Sequence, residues 1–275
     1  MRTYALRSVA AVALAAAAWL LAGPSAAGDK TSVWKPFLPA DAYKELVGRA
    51  VKNIDEALAE KPSEEAVKKA QFNAVMIAAY TLSAKEGAKD LAAVRDAALK
   101  VAKLAGMKGK ADEARKLAAA LATLKGDGAM GPPGDWKVYV EDRADIMEHF
   151  KTKMKGGEGI HPDLQSNIKL KGTQNGIEEK LRTLAMKELM PARAAKEANE
   201  LALLGYRSAV VGELTYYYLP KKNVEDWQKL ALEMRDAGIA LAEAAQKKDP
   251  EAIFKASTSL NSSCSQCHSS HRGKI

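Results

Sequence analysis

The chain has 275 residues, a formal net charge of +8, and 47% hydrophobic against 6% aromatic residues. Its Lys and Arg are interspersed with Asp and Glu on what read as solvated helix faces. The clustered basic residues with interleaved aromatics of a nucleic-acid binder are missing, so nucleic acid is excluded as a partner. Alanine dominates and no alternating β-branched run stands out, which predicts an all-α protein.

Arg2 and Arg7 open the chain, and the apolar run "SVAAVALAAAAWLLAG" follows up to Pro24. Ser25–Ala27 then supplies the small residues that a signal peptidase needs, so residues 1–27 read as a signal peptide cut near Ala27–Gly28. The run is short for a bilayer crossing. The expectation is an exported, periplasmic protein in an oxidising compartment, with no stable membrane span after cleavage.

Four helices at the 3.6-residue period are predicted next, over 41–60, 63–85, 90–106 and 111–124. Ala42, Leu46, Ala50 and Ile54 make the apolar stripe of the first, and "SEEA" and "ADEA" look like helix starts. Short turns between amphipathic helices imply antiparallel neighbours. The Gly- and Pro-rich "KGDGAMGPPGDW" ends this half and predicts a linker over 126–135.

The second half repeats the plan. One helix is expected over 135–155, then a long polar loop over 156–175. Helix is expected over 177–219 with a break at Pro191, and again over 224–248 and 250–270. Pro250 suits a first helical turn, where its missing N–H is not needed. "DLAAVRDAALKVAKLAG" from Asp90 lies against "LALEMRDAGIALAEAAQ" from Leu230 when Arg95-Asp96 and Arg235-Asp236 are superposed, which raises a duplicated bundle as an expectation. Continuing that register puts Gly126 opposite Cys264, so the first half lacks the cysteines.

Both cysteines of the chain stand in "NSSCSQCHSSHRGKI". Cys264, Cys267 and His268 spell Cys-x-x-Cys-His, the attachment signature of a c-type haem. The two thiols add across the porphyrin vinyl groups, and the following imidazole becomes the proximal iron ligand. Three other readings are weaker. A zinc site would draw Cys264, Cys267, His268 and His271 from within eight residues, without a second ligand-bearing half. A redox dithiol would want a strand-to-helix junction, and this chain shows no strand pattern. A disulfide across two residues closes almost no loop.

The stretch from Val224 to Arg272, "VEDWQKLALEMRDAGIALAEAAQKKDPEAIFKASTSLNSSCSQCHSSHR", resembles the C-terminal half of the cytochrome c prime family. Trp227 opens the third helix, "KKDPEA" makes the turn, and Arg272 follows His268 by four residues. The resemblance covers about 135–275 and is carried mainly by the last fifty residues. It departs from the family at His271, where an aromatic residue is usual, in the long loop after the first helix, and in the extra first half.

The resemblance implies a four-helix bundle over 136–275 with one covalent haem c, preceded over 28–125 by a helical domain without the haem motif. It makes His268 the fifth iron ligand and puts Arg272 near the proximal face or the propionates, with a solvated helix-end cation as the equal alternative. It also places a side chain of the first bundle helix over the distal face. Met147 is the candidate distal ligand and Ile146 the candidate apolar cover; His149 and Met154 are further candidates. His271 reads as a surface residue, His161 as a loop residue, and one or two of the tyrosines in "TYYYL" as packing against haem or a neighbouring helix.

The implied functions are electron transfer with a redox partner protein, or binding of a small diatomic gas (nitric oxide or carbon monoxide) at an open sixth site. A third, weaker expectation is a mainly structural or interaction role. Members of the family often dimerise through their first two helices, which makes a homodimer a candidate assembly. No catalytic acid–base pair, nucleophile constellation or phosphate-cradling loop stands out, so no enzymatic activity is expected.

Overall fold

A computed structural model of the chain describes residues 34, 36–59, 61–85, 88–124, 135–140, 143–151, 159–164 and 176–271. Nine helices lie among the described residues: α1 Ala40–Ala57, α2 Glu64–Ser83, α3 Ala88–Gly106, α4 Ala111–Ala120, α5 Arg143–Glu148, α6 Ile177–Met186, α7 Pro191–Tyr217, α8 Val224–Gln246 and α9 Pro250–His271. Among those residues there is no strand, only an isolated bridge between Leu38 and Ala84. The all-α expectation holds, and none of these helices is long and apolar enough to cross a membrane.

Local signals place the helix ends. The Ser63 hydroxyl accepts from the Ala66 N–H at 3.2 Å and caps α2. Pro191 stands at the first turn of α7, where its fixed φ suits a helix start, and it separates α7 from α6. The stripe of α1 faces inward through Leu46, Ala50 and Ile54, joined by Val47. By contrast α2 buries every residue from Phe72 to Ser83, as a helix apolar all round must.

The helix expected over 135–155 does not form as one element. A 3-10 turn spans Trp136–Val138, and among the described residues of that stretch Arg143–Glu148 alone is α-helical. Long-range contacts hold the turn. The Tyr218 hydroxyl donates to the carbonyls of Trp136 and Val140 at 3.1 and 2.9 Å, and the Trp136 ring stacks on Trp34 at 5.6 Å.

Contacts gather Trp34–Ile275 into one compact unit rather than dividing it near residue 125. A single apolar cluster runs from Trp34 to Leu260, and the Arg49 guanidinium grips both Glu200 carboxylate oxygens at 2.7–2.8 Å, tying α1 to α7. The most extensive helix pairing is α7 with α8, where Gly205, Gly212 and Gly238 let the backbones approach closely. Arg95 bonds Asp96 on α3 as Arg235 bonds Asp236 on α8, at 2.8 and 2.7 Å. The linker over 126–135 and the Gly126 register point lie, but for Asp135, outside the described residues.

Candidate functional site

Helical spacing sets the geometry of the Cys-x-x-Cys-His stretch. Because it lies within α9, Cys264, Cys267, His268 and His271 stand at i, i+3, i+4 and i+7, on one face. That face forms one wall of a cavity of about 370 Å³, within the range of pockets that take cofactor-sized ligands. α8 contributes Trp227, Leu230, Ala231 and Met234, another i, i+3, i+4, i+7 stripe, while α6 contributes Leu181, α5 contributes Met147, and Phe150 follows in the turn after α5. Glu178 and Arg182 of α6, paired at 3.2 Å and more than half exposed, stand at the rim.

The lining is mainly apolar, with polar groups at its edge, and no disulfide joins the two thiols. Those are the requirements of an apolar porphyrin held through two thioethers with an imidazole beside them, so the residues present fit a covalent haem. A bare ion fits less well. From Cys264 to His271 the helix rises about 10 Å, and among the described residues no group of three or more His, Cys, Asp or Glu converges on one point.

Loss of hydration, then the neighbouring Cys267 and Glu178, pushes the Cys264 thiol up to about 11. The thiolate fraction therefore climbs about tenfold per pH unit below that value. Alkylation of Cys264 by iodoacetamide in the haem-free chain should be slow at pH 8 and accelerate steadily towards pH 11. A rate that levels off near pH 9 would contradict the raised thiol value.

The structure sorts the distal candidates. Met147 lines the cavity and is half-buried. Ile146, fully buried, is not among the lining residues and belongs to the main core. His149 is turned elsewhere, its ring stacked on Phe72 of α2 with centroids 3.3 Å apart. Met154 and Arg272 lie outside the described residues.

His271 departs from the surface position expected of it. It is 2% exposed, its Nε2 lies 3.3 Å from Asp226 Oδ2, and its ring meets Trp227 edge-on at 5.1 Å. Trp227 is fixed in turn by donating its indole N–H to the Thr215 carbonyl at 2.8 Å. From "TYYYL" the cavity takes Thr215 alone: Tyr217 stacks on Trp34, Tyr216 meets Tyr217 edge-on, and Tyr218 bonds the 136–140 turn. His161 is exposed in its loop, as expected.

Sequence reasoning missed several lining residues, Leu181 and Met234 among them. The Trp227–Leu230–Met234 spacing carried a signal for the second. Nothing local announced that α6 would pack along α9 and bring Leu181 to the cavity. Compared with protein-family models, curated proteins and solved structures, the chain matches none.

Proposed function

We propose that the chain is an exported, periplasmic c-type cytochrome that transfers single electrons through one haem attached to Cys264 and Cys267, with His268 as the proximal iron ligand. The observation that carries this reading is the meeting of the Cys264–Cys267–His268 face with an apolar cavity. When bound, the group supplies a one-electron iron(III)/iron(II) couple. The chain's own residues do the rest. Two thiols tether, His268 orients and ligates, and Leu181, Leu230 and Met234 exclude water, which keeps the surroundings from reorganising as charge changes. Arg182 at the rim would offer a cation to the carboxylates of such a group, the role that the family resemblance implies for Arg272.

Leu181 favours a second reading. An aliphatic side chain on the helix that packs against α9 leaves the sixth position open to a small diatomic such as nitric oxide or carbon monoxide. Met147, a thioether on the same cavity, favours the first.

The test is a haem-staining band that survives denaturation in the wild type and disappears from Cys264→Ser/Cys267→Ser protein expressed with the attachment machinery. A variant that still stains covalently would sink the assignment. Absorption spectra of the reduced protein, with and without carbon monoxide, then separate the two functions. A low-spin spectrum unmoved by the gas supports electron transfer with Met147 in place.

A further inference from the structure

We infer that His271 takes up a proton when the site accepts an electron, so that the chain couples one-electron transfer to proton transfer. This rests on the haem reading above. The imidazole is buried on the same cavity wall as His268, one helical turn further along α9. Among the described residues its polar partner is Asp226, whose carboxylate is half exposed while the imidazole it bonds is 3% exposed. Solvent, Asp226 and the His271 ring thus form a short proton route that ends at the cavity.

The surrounding charges leave Asp226 in control. From α8, Asp226 is the bonded carboxylate, and Trp227 presents an uncharged ring edge. From α6, Glu178 and Arg182 share the cavity but neutralise each other in an ion pair. α9 itself adds His268 and the sulfurs of Cys264 and Cys267, uncharged once they are thioethers, and among the described lining residues α7 adds Thr215. An electron arriving from a one-electron donor protein reduces iron(III) to iron(II) and lowers the charge of the site by one. That favours the imidazolium, and one proton from solvent passes by way of Asp226 to the ring. One electron and one proton enter together, and both leave on reoxidation.

The sign follows. Proton uptake on reduction makes the midpoint potential fall as pH rises. The oxidised-to-reduced ratio at fixed potential should shift by up to tenfold per pH unit, about 59 mV for a one-electron couple. The experiment is potentiometric titration of the haem-loaded full chain at successive pH values, with proton uptake on reduction measured in weak buffer. In wild type the potential slopes and protons are taken up; in His271→Gln, which keeps a polar group for Asp226, both vanish. Asp226→Asn removes the carboxylate that stabilises the imidazolium, so the sloping region moves to lower pH. A flat wild-type profile, a slope that persists in His271→Gln, or an unmoved region in Asp226→Asn overturns the inference while the haem reading stands. Absence of covalent haem overturns both.

Discussion

Arg235→Met is expected to destabilise the folded chain by about 3–5 kcal/mol, the usual cost of stripping one partner from a buried ion pair. Glu213 is fully buried on α7, and its carboxylate accepts from the Arg235 guanidinium at 3.0 Å across the α7–α8 contact. Water cannot replace a cation that close to a carboxylate with no exposed surface. Methionine roughly keeps the volume, so the loss is electrostatic and not a cavity effect. Adding Glu213→Gln in the same chain should recover most of the stability, since it removes the charge that burial penalises. Urea midpoints of the wild type, both single variants and the double variant complete the cycle. Single-variant losses below about 1 kcal/mol, typical of exposed pairs, would show that the pair is hydrated in solution.

Gly238→Ala should also lower the unfolding midpoint, although alanine is the better helix former by about 0.8–1 kcal/mol. A Cβ at Gly238 would lie 2.7 Å from the Ala209 backbone nitrogen and 2.7 Å from the Gly205 carbonyl oxygen. Both are main-chain atoms, so no rotamer change relieves the clash and the helices must separate. Overpacking of this kind costs about 1–3 kcal/mol, which exceeds the propensity gain. Gly48→Ala on α1 is the control: a Cβ there meets nothing within 4 Å, so the propensity gain should appear alone. If Gly238→Ala and Gly48→Ala stabilise alike, the close crossing is not present in solution.

What could be read from the sequence was what depends on neighbours along the chain. The α1 stripe, the Ser63 cap and the Pro191 break are decided within one or two turns, and they fall where the periodicity and capping chemistry put them. The face shared by Cys264, Cys267 and His268 follows from helical spacing alone. The failures share the opposite character. The 136–140 stretch is held as a turn by Tyr218 and Trp34, each far away in sequence. His271 is buried because Asp226 and Trp227, some 45 residues earlier, lie against it. The Gly- and Pro-rich linker expected over 126–135 is likewise a local signal, and composition alone says nothing of the α1–α7 clamp between Arg49 and Glu200.

Phe72 sits at the middle of a consequence that no motif would suggest. Its ring supports His149, which follows directly on α5, and α5 carries Met147 to the cavity wall. Six residues of helix have little rigidity of their own, so the placement of that thioether is borrowed from α2. Natural variation in a helix of the first half can therefore shift Met147 on the wall of that cavity without touching it. Selection on the cavity would then act on a stretch of sequence that contributes none of its lining.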